Sequence, residues 1–256
     1  MKTLCLLSGM ALCLNVNAAI VSKTVSHTMA DKQFESTLVY DDSQQQLPAV
    51  LMVPNWMGPT SGSLDKAKKI AAMGYAVMMA DVYGTDVRPA NADEAGKAAG
   101  ALRSDRALLR GRTKAALAAM KANLPQNADP SKVAAIGFCF GGGAVLELAR
   151  GGEPLAAVVS FHGNLDTPNP ADANNIQAPI LVLHGAVDPY VPPEQVAAFE
   201  KEMNDAKVDW QLIAYGGAVH SFTNPQANAV GKANYHPKAA ARSFRAMDSL
   251  FKEVFN

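Results

Sequence analysis

Solidly apolar runs, bounded by glycine, proline or acidic residues, recur along this chain, and segments with helical spacing lie between them. Pro48–Pro54 (PAVLMVP) and Tyr75–Asp81 (YAVMMAD) do not alternate in polarity, which is the pattern of strands buried on both faces. Val133–Phe138, Leu155–Phe161, Pro179–His184 and Val208–Tyr215 continue the series. Weak alternation over residues 20–40, ending in Ser36–Tyr40, predicts further strands, with a turn at Asp41–Gln44. Helical spacing predicts helices over Leu64–Met73, stopped by Gly74, and from an N-cap at Ser104 to Leu124, ended by Pro125. Gly142–Arg150, Pro193–Asn204 and the amphipathic Pro237–Val254 complete the set. Residues 84–100, rich in Gly, Ala, Asp and Asn, read as an excursion above the sheet. Buried strands alternating with helices predict an α/β fold, a mostly parallel central sheet with helices on both faces. Ligands of such sheets bind beyond the carboxyl ends of the strands.

The chain has 256 residues, 49% of them hydrophobic, which suits one globular α/β domain. The formal charge is +0, and no basic run is long enough to grip phosphates, so nucleic acid is not an expected partner. Met1–Ala19 (MKTLCLLSGMALCLNVNAA) has a lysine, an apolar stretch from Leu4 to Leu14, and a small-x-small site at Val16-Asn17-Ala18. This predicts a cleavable signal peptide over residues 1–18, a single domain over 19–256, and export to the periplasm or medium. The apolar stretch falls short of the roughly 20 residues that span a bilayer, so no stable membrane insertion is expected. Of the three cysteines, Cys5 and Cys13 fall in the leader. Cys139 is then left as a single thiol in an oxidising compartment, where a lone thiol is a hazard unless it is used.

Cys139 sits in Gly137-Phe138-Cys139-Phe140-Gly141, between an apolar strand and a glycine cluster. This has the form of a nucleophile elbow with cysteine in place of serine. Gly137 and Gly141 supply the small neighbours the reversal needs, and the following helix N-terminus favours a thiolate. The same five residues also fit an inert core cysteine at a tight strand–helix crossing. Two more strand ends bear on the choice. Asp188 follows the Ile180–Leu183 strand in HGAVDP, and His220 follows the last strand in YGGAVHSF. Nucleophile, acid and histidine in that order is the α/β-hydrolase order.

With these pieces, VLMVPNWMG, GYAVMMADVYG, KVAAIGFCFGGG, ILVLHGAVDPYVP and YGGAVHSF, the chain resembles the dienelactone hydrolase family of the α/β-hydrolase fold. The motifs occur in the family's order and cover the chain from about residue 30 onward. The resemblance implies an ester or lactone hydrolase with Cys139 as nucleophile, Asp188 as acid and His220 as base, acting on a small molecule without a cofactor. It implies an oxyanion hole made by the backbone N–H groups of Phe140 and Trp56. Well-studied members carry a glutamate before the second donor that helps activate the thiol; here that position is Asn55. Asparagine takes no proton from a thiol, so either His220 activates Cys139 alone or the thiol is activated differently from the family's model, and the family's small anionic substrate is no longer implied. The family uses arginines near the excursion to hold a substrate carboxylate. Arg88, Arg103, Arg106, Arg110 and Arg112 lie there, with Arg88 the candidate for substrate contact and Asn55 and Tyr83 further candidates. His162 and His184 follow strands but lack metal-ligand spacing, so no metal site is expected and both read as structural.

Two other functions fit the residues. A binding protein on the same fold without turnover is compatible with Asn55. A redox role for the lone thiol is less supported, since no CxxC or resolving cysteine is present. The sequence leaves the oligomeric state and natural substrate open.

Overall fold

β1 (Ile20–Met29) and β2 (Lys32–Asp41) form an antiparallel hairpin that opens one edge of an eight-stranded sheet. The computed structural model describes residues 20–256; the expected leader, with Cys5 and Cys13, lies outside the described residues. The remaining strands are β3 (Leu47–Val53), β4 (Ala76–Met79), β5 (Ala128–Phe138), β6 (Val158–Phe161), β7 (Ile180–Gly185) and β8 (Trp210–Tyr215). Their order is β1-β2-β4-β3-β5-β6-β7-β8, with β2 antiparallel to β4 and all pairings from β4 to β8 parallel. β4 lies on one side of β3 and β5 on the other. The chain therefore reverses its direction of travel across the sheet there, which opens a crevice at the carboxyl ends of β3 and β5.

The solid apolar runs become strands buried on both faces. Ala49, Leu51 and Val53 face one core, which α2 (Ala92–Ser104), α3 (Arg106–Asn123), α4 (Phe140–Arg150) and α5 (Pro193–Asp205) cover. Val50 and Met52 face the other, under α1 (Ser61–Ala71) and α6 (Pro237–Val254). Alternate side chains point to opposite faces because the strand period is 2. Each fully buried Val, Leu or Met contributes about 1.5–3 kcal/mol of transfer free energy. α6 lays Ala239, Ala240, Ser243, Phe244, Met247 and Phe251 against the sheet, a spacing of three and four residues.

α4 is anchored from below. Arg150, 1% exposed, reaches Glu202 of α5 through two bonds of 2.8 Å and Glu147 of α4 at 3.0 Å. Arg110 of α3 also pairs with Glu147. Pairing the buried charges avoids a cost of several kcal/mol per ion, and removing one partner typically costs about 3–5 kcal/mol.

Several sequence-based boundaries move. The excursion over 84–100 is half helix: α2 starts at Ala92, where the Asn91 side chain accepts from Glu94 N–H at 3.0 Å and Glu94 accepts from Ala90 N–H at 2.9 Å. This is a reciprocal cap, and alanine, counted towards a loop by the composition reading, is the best helix former. The long helix begins at Arg106 rather than Ser104, because Asp105 caps it by accepting from Leu108 N–H at 2.9 Å. α1 starts at Ser61, capped by Thr60. A short 3₁₀ turn at Pro170–Asn175 and a two-stranded ribbon, β9 (Asn228–Ala229) with β10 (Ala233–Asn234), were not expected.

Candidate active site

β5 turns into α4 at Cys139, which takes φ 56° and ψ −120°. A non-glycine residue in such a region stores strain of order 1–3 kcal/mol, so the surroundings must hold it. They do: Cys139 N–H donates to the Phe161 carbonyl at 3.0 Å, and its carbonyl accepts from Gly142 N–H at 2.9 Å. A Cβ on Gly137 would collide with the Gly141 carbonyl, and one on Gly141 with the Val53 carbonyl. Glycine at both positions is therefore a steric requirement of the turn.

The sulfur meets the His220 imidazole and the backbone N–H groups of Phe140 and Trp56. Burial pushes the thiol pKa up; the hydrogen bond and charge of His220, with the two backbone N–H groups, outweigh it and hold the thiol below its ordinary range. His220 Nδ1 lies 2.8 Å from Asp188 Oδ2. The carboxylate can only accept, so Nδ1 carries the proton and Nε2 is left for the sulfur. Burial alone would depress the imidazole, but Asp188 and Cys139 raise it to about 10. Asp188, 4% exposed, is itself fixed through Oδ1, which accepts from Tyr190 N–H at 2.9 Å.

His220 is held from several directions. The ring of Tyr190 meets it edge-on with centroids 5.1 Å apart, and His162 does so at 5.3 Å. Its carbonyl accepts from Asn234 N–H at 3.0 Å, so the β9–β10 ribbon braces the loop. His162 bonds Thr223 Oγ1 through Nε2 at 2.8 Å. Burial, then the charges of His220 and Lys66, drive its pKa well down, so it stays neutral beside the imidazolium.

The loop after β3 supplies the second donor. Asn55 Oδ1 accepts from Met57 N–H at 3.0 Å and its carbonyl accepts from Gly58 N–H at 2.9 Å. Asn55 thus builds the turn that presents Trp56 N–H to the sulfur. Tyr83 Oη donates to the Trp56 carbonyl at 2.8 Å, and the Tyr83 ring stacks on Phe140 at 5.6 Å.

A thiol, an imidazole and a carboxylate in series beside two backbone N–H groups, at the ends of β3, β5, β7 and β8, are groups suited to acyl transfer. The family model described as the dienelactone hydrolase family matches residues 34–255. The chain belongs to the dienelactone hydrolase family. It is an ester or lactone hydrolase of the α/β-hydrolase fold. It is similar to the solved structure m3DLH, at 38% identity and a TM-score of 0.87, covering 93% of this chain and 100% of that one. It is as similar to a dienelactone hydrolase-like promiscuous phosphotriesterase, P91, from metagenomic libraries, at 39% identity and a TM-score of 0.87, covering 93% and 99%. An uncharacterized protein of Caenorhabditis elegans is 38% identical over 156 residues, 57% of this chain and 94% of its own length.

The fold of this hydrolase brings Cys139, Asp188, His220, Phe140 and Trp56 together, and the residues expected at the substrate have partners of their own. Arg88 pairs with Asp81 at 2.9 Å and donates to the Val87 carbonyl at 3.1 Å and to that of Gly84, so it braces its own loop instead of reaching for substrate. Asp81 is fully buried and recruits the guanidinium as its counter-charge. Arg103 and Arg106 meet Asp166, Arg110 meets Glu147 and Asp172, and Arg112 meets the Val82 and Tyr83 carbonyls. Tyr83, 1% exposed, and Asn55 shape the oxyanion loop from behind and within. His184 is buried at the end of β7. Among the described residues, no cluster of three or more His, Cys, Asp or Glu could hold a metal, and no helix is long and apolar enough to cross a membrane. The sequence reading missed Tyr190 and the Tyr83 hydroxyl bond. The first follows Asp188 by two positions, so an Asx turn was the available signal.

Proposed function

We propose that Cys139 is the nucleophile of a Cys–His–Asp triad that cleaves carboxylic esters or lactones through a thioester. The observation that carries this reading is the single imidazole of His220, bonded to Asp188 at 2.8 Å through Nδ1 and so close to the Cys139 thiol that the two groups shift each other's pKa in opposite directions. The Cys139 thiolate attacks the carbonyl carbon, and the carbonyl oxygen takes the negative charge between Phe140 N–H and Trp56 N–H. The imidazolium of His220 then gives its proton to the departing alkoxide as the C–O bond breaks. Neutral His220 next takes a proton from water, whose oxygen attacks the thioester carbon. The thiolate leaves and the acid is released. Asp188 holds the tautomer throughout and stabilises the imidazolium without taking the proton.

The substrate we assign is an uncharged ester or lactone. The five arginines around the excursion are engaged with carboxylates or carbonyls, and Trp56 (37% exposed) beside the sulfur and Tyr190 (51%) against His220 form the rim. Such a rim favours apolar or aromatic groups. The likeness to the P91 phosphotriesterase supports a second activity of the same site, thiolate attack at the phosphorus of an uncharged aryl phosphate triester. The leader-like residues 1–18 support an exported enzyme.

The test is hydrolysis of p-nitrophenyl acetate, a panel of neutral and carboxylate-bearing lactones, and a dialkyl p-nitrophenyl phosphate. Trapping an acyl group on Cys139 by mass spectrometry, with neutral substrates preferred, is the expected result. Full activity in Cys139→Ala protein would overturn the assignment.

A further inference from the structure

A cleft of about 460 Å³ lies between the start of α1, the loop after His220 and α6, and its lining includes none of Cys139, Phe140, Asp188 or His220. Two lysines one helical turn apart enter it. Lys66 Nζ sits 3.9 Å from the centre of the Phe138 ring and Lys69 Nζ 4.4 Å from that of Phe244. Both rings line the cleft. Neither lysine pairs with a carboxylate among the described residues, and Lys66 finds only the Thr223 hydroxyl, at 3.3 Å. Asp65 also lines the cleft without pairing with either.

Two like charges in one cleft repel each other, and a partly buried ammonium without a counter-ion is costly. Burial pulls the Lys66 pKa down to about 8, the thiolate of Cys139 pushes back, and Lys69 lowers it further. An anion placed between the two ammonium groups removes both penalties. The N-terminus of α1 faces the same space through Ser61 and Gly62, and its unpaired N–H groups add to the attraction. Met57 and the edge of Phe244, over the buried Met52 and Phe138, give the cleft an apolar side that a bare inorganic ion would leave unused.

From the paired lysines and the apolar wall we infer that this cleft is a second binding site, separate from the acyl site, for an organic carboxylate carrying a ring or short apolar body. The carboxylate lies between Lys66 and Lys69, and the apolar part covers the Phe138 and Phe244 side. The site touches the catalytic loops on both flanks. Asn55 lines it and builds the Trp56 turn; Thr223 lines it and holds His162 against His220.

The test is isothermal titration of sodium benzoate into Cys139→Ala protein at neutral pH and low salt, with inorganic phosphate as the comparison. Cys139→Ala blocks turnover but also removes the negative charge that supports the Lys66 ammonium, so the titration is repeated in wild-type protein, where the same binding is expected. Saturable 1:1 benzoate binding is expected, weakened on the order of tenfold or more when both Lys66→Gln and Lys69→Gln are introduced, since both cations facing the carboxylate are lost. Lys66→Arg retains the charge and retains binding. Circular dichroism establishes that each variant is folded. Absence of saturable binding, or benzoate binding indifferent to the double substitution in folded protein, overturns the site. Phosphate bound as tightly as benzoate overturns the assignment of an apolar body.

Discussion

Tyr83 touches both residues whose N–H groups face the Cys139 sulfur: its hydroxyl is 2.8 Å from the Trp56 carbonyl oxygen and its ring lies 5.6 Å from that of Phe140. The side chain is buried, so the bond is made away from competing water. Burial, with the negative charges of Cys139 and Asp81, raises its pKa, so the hydroxyl remains a donor at any pH at which the protein is studied.

Tyr83→Phe removes one hydrogen bond and leaves the packing in place. The lost bond is worth about 0.5–1.5 kcal/mol, so kcat for p-nitrophenyl acetate is expected to fall by roughly tenfold or less, with KM little changed. Direct loss of an oxyanion donor costs about 10²–10³, and a fall that large would mean Tyr83 contacts the reacting atoms itself.

Asp188→Asn leaves the shape of the triad and removes its negative charge. The tautomer that aims Nε2 at the sulfur loses its support, and comparable changes elsewhere lower kcat by up to about 10⁴. Stopped-flow kinetics checks this, with a slower acylation phase expected and the fold unchanged by circular dichroism.

The pH dependence follows from two opposite shifts. Cys139 is depressed, so its contribution to stability is present above the ordinary thiol pKa and is lost as pH falls through the lower native value. His220 is raised to about 10, so its contribution is present below the ordinary imidazole pKa and is lost as pH rises through about 10. The ion pair therefore occupies the window between the native thiol pKa and about 10. Iodoacetamide alkylation of Cys139, followed by mass spectrometry, should rise at a lower pH than that of a free thiol, and Asp188→Asn should move the rise to higher pH. A wild-type rise only at the pH of a free thiol contradicts the pairing.

Arg88→Met is expected to lower stability by about 1 kcal/mol, because Asp81 keeps its backbone donors and the guanidinium is 37% exposed. It should leave the ratio of kcat/KM for neutral and carboxylate-bearing lactones unchanged. A selective loss of the anionic substrate would return Arg88 to the substrate site.

Where one interaction dominates, the sequence is direct. Runs such as PAVLMVP, short and closed by proline at both ends, read as strands buried on both faces, and the spacing of Gly137 and Gly141 about Cys139 is dictated by a turn that admits no Cβ. Local electrostatics and long-range pairing are harder to see. Arg88 has the composition of a substrate ligand, yet its partner Asp81 is buried only once β2 pairs with β4. The cap at Asn91 was within reach, through Glu94 three residues on, but alanine and glycine around it hid a helix inside an apparent loop. The lysine cleft draws its walls from α1, β5, the His220 loop and α6, which no single stretch of sequence announces.

Trp56 contributes to this enzyme twice, through a main-chain N–H at the sulfur and an indole that lies out at the entrance, over Gly96 of α2. Every amino acid except proline carries that N–H. On the proposed mechanism, evolution or a designer can therefore exchange the side chain at position 56 to admit a new molecule while the N–H at the sulfur is inherited unchanged.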